Sequence, residues 1–157
     1  MFQLFKKKQG GIEIGAPVKG KAVPISEVSD PTFGEEILGK GVAFYPTEGK
    51  IFAPADGTID LLFDTMHAVS MTTTDGVELL IHIGLETVTL KGQHFTAHKA
   101  TGDTVKKGDL LISVDLDALK GLGIDTITPM VVCNTGDYQA VEAVTGQDVE
   151  PGTAVLH

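Results

Sequence analysis

The sequence holds 157 residues, 42% of them apolar and 21% charged, with a net charge of −9, a pI near 4.8 and one cysteine, Cys133. A domain of this size can bury roughly 70% of its unfolded surface. The acidity weighs against nucleic-acid binding, the lone cysteine excludes an internal disulfide and suits a reducing cytoplasm, and no run approaches the roughly 20 apolar residues of a membrane-spanning helix.

At the start, MFQLFKKK places its charge after its apolar residues and lacks the hydrophobic region of a signal peptide. Residues 1–14 are expected to form a flexible tail. That reading is preferred to contact of Phe2, Leu4 and Phe5, beside Lys6, Lys7 and Lys8, with an anionic membrane surface. Over 15–157, short apolar runs alternate with the turn signals Thr47-Glu48-Gly49, Ala55-Asp56-Gly57, Asp75-Gly76 and Thr135-Gly136-Asp137. This rhythm predicts one all-β domain, an antiparallel β-sandwich or barrel of short strands with at most short helical turns. The one helical candidate is Leu116–Leu122, kept short by Gly121 and Gly123. Cys133 closes the apolar run Met130-Val131-Val132 and reads as a small buried hydrophobe.

A weak internal repeat relates Gly102-Asp-Thr-Val105-Lys-Lys-Gly108 to Gly146-Gln-Asp-Val149-Glu-Pro-Gly152, and Pro54-Ala-Asp-Gly57-Thr-Ile59 enters a strand in the same manner. Such glycine-bounded hairpins resemble those of the barrel-sandwich hybrid folds of biotinyl and lipoyl carriers, which speaks for fold and not for function.

Two of the five histidines stand out. Asp75-Gly76 suits a two-residue hairpin turn, because both residues tolerate the positive φ angles such turns need. That turn sets Met71 opposite Leu80, Val69 opposite His82 and His67 opposite Gly84. It predicts one shared face for His67, Val69, Met71, Leu80 and His82. The two rings become diagonal neighbours, with Nε2 atoms within roughly 3–4 Å. A slip of one residue would separate them. His94, His98 and His157 read as structural or exposed residues.

Paired imidazoles suit metal ligation, acid–base work or carriage of a phosphoryl group. Zinc wants a third ligand, and although Asp64, Glu78 and Glu86 are near in sequence, no metallopeptidase spacing is present. The expectation is no intrinsic metal, with His67 and His82 binding zinc only when a partner adds a carboxylate.

The run Gly76-Val-Glu-Leu-Leu-Ile-His82-Ile-Gly84-Leu-Glu-Thr87-Val-Thr-Leu90 closely resembles the phosphorylation-site signature of the glucose-type enzyme IIA domains. These domains belong to the bacterial phosphoenolpyruvate-dependent sugar phosphotransferase system. Gly39–Ala43, Ala53–Ile59, Thr65–Ala68, Leu90–Gly92, Gly102-Asp103 and Thr128-Pro129 are also similar to that family, so the likeness runs from about Gly15 to the end.

The resemblance implies that His82 accepts a phosphoryl group on Nε2 from the histidine phosphocarrier protein. His67 would stabilise the group in transfer, with the Gly84 carbonyl and the Thr65 hydroxyl orienting the two rings. Phe33, Ile37, Leu38, Phe63, Val69, Leu80, Glu86 and Val88 would form the docking surface. Onward transfer would go to a sugar-specific IIB domain of a membrane transporter, without cofactor, in the cytoplasm and at the membrane only through that transporter. Regulatory targets are a further implied class of partner. Glu86 stands where many relatives have Asp, Leu80 where some have Phe, and Leu61 where some have Lys.

Two other classes fit less well. A biotinyl or lipoyl carrier needs a lysine at a hairpin tip between apolar residues, which neither Lys99 nor Lys106-Lys107 provides. A lysostaphin-type zinc peptidase needs a third ligand.

Overall fold

The computed structural model describes residues 4–6 and 11–157. Strands β1 (Leu4–Lys6), β2 (Gly11–Ile12), β3 (Ile14–Gly15) and β4 (Gly20–Pro24) lead to β5 (Lys40–Pro46) across a connection that holds a one-turn helix, α1 (Pro31–Gly34). Next come β6 (Lys50–Phe52), β7 (Gly57–Leu62), β8 (Ala68–Thr73), β9 (Glu78–His82), β10 (Phe95–Ala97), β11 (Thr104–Val105) and β12 (Leu110–Val114). After α2 (Leu116–Gly121) follow β13 (Thr128–Val132), β14 (Tyr138–Ala140), β15 (Asp148–Val149) and β16 (Ala154–Leu156). All of the strand pairings are antiparallel, and the expected β-sandwich of short strands with brief helices is what forms.

The main sheet has the order β11-β7-β8-β9-β13-β5-β4-β15. It is two matched four-stranded units facing each other across β9 and β13. Gly57 pairs with Thr73 and Val105 in one unit, as Gly20 pairs with Pro46 and Val149 in the other. Ala53 exchanges backbone bonds with Gly108 and Asp109, as Ala16 does with Gly152 and Thr153. The repeat read from the glycine-bounded hairpins is therefore wider than those hairpins, embracing Ala16-Pro17-Val18-Lys19-Gly20 and Ala53-Pro54-Ala55-Asp56-Gly57. A Cβ at Gly20 would lie 2.2 Å from the Tyr45 carbonyl oxygen, and one at Gly57 2.3 Å from that of Thr72. Glycine is thus required twice for one reason.

The hairpin β8–β9 departs from expectation. Asp75 does not take a positive φ, whereas Gly76 does, at 91°. The Gly76 N–H donates to the Thr73 carbonyl, and Thr73 and Val77 close the ladder. The Val77 N–H also bonds the Thr73 hydroxyl. The loop is therefore the three residues Thr74, Asp75 and Gly76, with glycine in the left-handed position that such loops need. Every pair shifts by one: Met71 faces Leu79, Val69 faces Ile81 and Ala68 faces His82. Val69 and Met71 join Leu79 and Ile81 in the main core, while Leu80 and His82 point to the other side. The single shared face expected for Val69, Met71, Leu80 and His82 is thereby corrected.

The main core lies between the sheets and includes Phe44, Ile51, Ile59, Met71, Leu79, Ile81 and Ile112. Each such side chain contributes about 1.5–3 kcal/mol on burial. A second, smaller cluster covers the other face of β5 and β13: Val23, Ile25, Val28, Phe33, Ala43, Ile127 and Val131, with Leu80 and Leu85 at its margin. It exists because the β4–β5 connection folds back over the sheet. Asp30 caps α1, its carboxylate accepting the Thr32 N–H at 3.0 Å, with Pro31 at the first helical position.

Two further expectations change. Leu4–Lys6 pairs with both β14 and β2, and Ile12 and Ile14 are core residues, so the described part of 1–14 belongs to the domain. Phe2, Lys7 and Lys8 lie outside the described residues. Cys133 is exposed, because β13 ends at Val132 and the chain leaves the region buried on both faces. The helix predicted at Leu116–Leu122 forms as α2, capped by Asp115.

Candidate functional site

His67 and His82 meet despite the shifted register. Strict alternation would send His67 into the core beside Val69. Instead β8 begins only at Ala68, after a turn in which the Met66 N–H donates to the Phe63 carbonyl at 2.7 Å and Met66 takes φ 58°. That turn takes His67 out of the strand's alternation, although its carbonyl still accepts the Ile83 N–H at 2.7 Å. The two rings lie edge to face, with centroids 5.0 Å apart and planes at 78°.

Each ring has one nitrogen engaged. His82 Nδ1–H donates to the Gly84 carbonyl at 2.7 Å; a carbonyl only accepts, so the proton sits on Nδ1 and Nε2 keeps its lone pair. His67 Nδ1 is 2.5 Å from the Thr65 hydroxyl. Gly84 turns at φ 71°, which brings its carbonyl back towards the ring. Phe33 lies 5.2 Å from the His82 ring and Phe63 lies 5.4 Å from the His67 ring.

His67 is 6% exposed. Burial, then the neighbouring His82, pushes its pKa down from 6.5 to about 4. Burial also lowers His82, against the opposing pull of the Gly84 carbonyl and the Asp30 carboxylate. Both rings are therefore neutral near pH 7, and a neutral Nε2 is a nucleophile where an imidazolium is not. Among the described residues, no group of three or more His, Cys, Asp or Glu stands where it could hold a metal ion.

The expected docking residues divide. Ile37 (69% exposed), Leu38 and Val88 (49%) are open apolar side chains, and Glu86 is exposed among them in sequence. Phe63 and Leu80 are half-buried. Phe33 is only 4% exposed, since it is a member of the second cluster as well as a neighbour of His82. Val69, 1% exposed, is a core residue and leaves the set, because the three-residue loop turned it inward.

His94, His98 and His157 do not join the pair. His98 Nε2 bonds the Ser113 hydroxyl at 2.7 Å, and His157 Nδ1 lies 3.6 Å from Glu13. Lys106 and Lys107 occupy a turn in which their N–H groups bond Asp109 and Asp56, with no apolar pair around either lysine. Two features near the site escaped the sequence reading. Asp30 bears on His82, and the Asp-Pro helix start was a visible signal for its place. Thr87, buried in the turn after β9, lies within the motif, but its partner could not be read from spacing.

The chain is similar to known proteins over most of its length. Residues 12–138 match the family described as phosphoenolpyruvate-dependent sugar phosphotransferase system, EIIA 1. The glucose-specific EIIA component of Oceanobacillus iheyensis is 38% identical over 152 residues, 97% of this chain and 92% of that protein. The β-glucoside-specific EIIBCA component of Bacillus subtilis is 44% identical over 143 residues. The chain spans 24% of that protein, and 21% of the corresponding component of Dickeya chrysanthemi. Among solved structures, glucose permease IIA from Mycoplasma capricolum superposes with a TM-score of 0.84 at 34% identity, covering 92% of this chain and 94% of that one.

Proposed function

Since the chain belongs to the EIIA 1 family of the phosphoenolpyruvate-dependent sugar phosphotransferase system, we propose that it relays a phosphoryl group through His82. The donor is the histidine phosphocarrier protein, and the acceptor is a cysteine on a sugar-specific IIB domain of a membrane transporter. The relay works in the cytoplasm and meets the membrane through that transporter.

The observation that carries this reading is the pair of facing neutral imidazoles whose Nδ1 atoms are both engaged. The His82 Nε2 lone pair attacks phosphorus as the donor's N–P bond breaks, so one N–P bond replaces another. Positive charge that develops on the ring is stabilised by the Gly84 carbonyl on Nδ1–H. If the Thr65 hydroxyl donates to His67 Nδ1, His67 presents Nε2–H to a phosphoryl oxygen. That donor stabilises the charge most in the transition state of transfer. The apolar surface around the pair, closed by a docked partner, keeps water from the N–P bond.

The test is incubation with phosphoenolpyruvate, enzyme I and phosphocarrier, read by intact mass. The expected product carries one acid-labile phosphate on His82. Stable modification, or phosphate on another residue, would sink the reading.

A further inference from the structure

The turn after β9 is gripped by a side chain with no part in the chemistry above. Thr87 is fully buried, and its hydroxyl donates to the Ile83 carbonyl at 2.6 Å. Ile83 is itself buried, so carbonyl and hydroxyl each need a partner. The N–H of the same residue donates to the His67 carbonyl at 2.7 Å. Ile83 is thus tied on one side to the strand that brings His67 and on the other to Thr87. The next residue is Gly84, whose carbonyl receives His82 Nδ1–H. A Cβ on Gly84 would lie 3.0 Å from the Thr87 methyl and 3.2 Å from the Asp125 carbonyl oxygen. The methyl of Thr87 therefore lies close to Gly84 while its hydroxyl holds Ile83.

This arrangement meets a specific weakness. Glycine takes positive and negative φ about equally well, so the Ile83–Gly84 peptide plane has little intrinsic reason to keep one orientation. The Gly84 carbonyl lies in the next plane, whose Leu85 N–H donates to the Asp125 carbonyl at 3.0 Å. It reaches His82 only while Gly84 keeps its φ of 71° between the two planes. If the Ile83–Gly84 plane turns, that φ is lost. The ring would then be free to carry its proton on Nε2, the atom that has to attack. We propose that Thr87 is a positioning residue, its hydroxyl holding the Ile83–Gly84 peptide so that Gly84 keeps the backbone angle with which its carbonyl meets His82 Nδ1. Its kinetic consequence rests on the phosphoryl-relay reading; its consequence for the tautomer does not.

Two substitutions separate the halves of the side chain. Thr87→Val keeps the shape and removes the hydroxyl, and Thr87→Ser keeps the hydroxyl and removes the methyl. Nitrogen-15 NMR of the imidazoles in the full chain at neutral pH should show His82 protonated on Nδ1 in the wild type and in Thr87→Ser. Thr87→Val should show a mixture with the Nε2–H form. Phosphoryl acceptance should fall about 10- to 100-fold in Thr87→Val and recover largely in Thr87→Ser.

A Thr87→Val protein with the wild-type tautomer overturns the proposal, as does a Thr87→Ser protein as disturbed as Thr87→Val. Should Thr87→Val not fold, Thr87→Ala against Thr87→Ser is read in the same way. In the wild type, the Thr87 hydroxyl proton should be protected from exchange, and fast exchange counts against the bond. A tautomer shift in Thr87→Val together with a wild type that takes no phosphate would reject the relay and keep the positioning role.

Discussion

The two matched halves of the main sheet share a scaffold and differ at their tips. In the half built on β4 and β5, residues 25–39 fold over the sheet and bury Ile25, Val28 and Phe33. In the half built on β7 and β8, the short connection 63–67 carries Phe63, Thr65 and His67. Through the pairing registers, Lys40 opposite Val132 corresponds to His67 opposite Ile83, and the buried Val131 corresponds to His82. One half thus has two imidazoles where its counterpart has a lysine and a valine. The longer connection nevertheless reaches the site, since Phe33 packs on His82 while Phe63 packs on His67. The scaffold is duplicated; the chemistry is assembled once, from both tips.

If site and scaffold are separable in this way, substitutions should sort cleanly. His82→Gln should abolish phosphoryl acceptance while the melting temperature stays near wild type, since His82 is half-buried and outside the main core. A phosphorylated His82→Gln protein would show that another residue is the acceptor. His67→Gln should still take phosphate but pass it to IIB slower by orders of magnitude, measured as single-turnover transfer. Normal sugar phosphorylation in that variant would remove His67 from the mechanism.

His67→Gln also has a thermodynamic reading. Folded His67 has a pKa of about 4 against an ordinary 6.5. Between these values the unfolded chain binds more protons than the native one, so stability falls as pH drops from about 6.5 towards 4. Denaturant melts across that window should show a shallower acid loss in His67→Gln. An unchanged slope would mean that the loss arises elsewhere.

The docking surface tests the difference between the tips. Ile37→Asp or Val88→Asp places an unpaired carboxylate where a partner excludes water, a cost of about 2–4 kcal/mol or roughly 30- to 1,000-fold in affinity. Melting should be unchanged. Phe33→Asp should instead lower the melting temperature, because Phe33 is buried in the second cluster. Equal behaviour of Phe33 and Ile37 would erase that distinction.

The smallest effects concern the scaffold alone. Gly20→Ala and Gly57→Ala should each cost about 1–3 kcal/mol through forced backbone shifts, by similar amounts, with phosphoryl transfer retained in the folded fraction. Tolerance at one and not the other would break the equivalence of the halves.

The histidine pair was legible in the sequence although the hairpin counting behind it was off by one. The two-residue turn overlooked that Thr73 bonds Val77 with both its backbone and its hydroxyl, leaving Gly76 alone in the left-handed position. The resulting slip should have parted the rings, but the turn at Met66 withdrew His67 from the strand's alternation. Two deviations offset one another. Val69 had no such escape, being mid-strand, and went into the core.

The sequence by itself determined the elements whose cause is local. Turn glycines, short apolar runs, the capped Leu116–Gly121 helix and the histidine-bearing motif follow from backbone preferences and residue chemistry over a few positions. Tertiary structure alone decided the rest. The pairing of Leu4–Lys6 between β14 and β2, the fold-back that buries Phe33 and the grip of Thr87 on Ile83 depend on partners brought close by the chain path. So do the lowered pKa values of the two rings, because burial is a property of the assembled molecule and not of any run of residues.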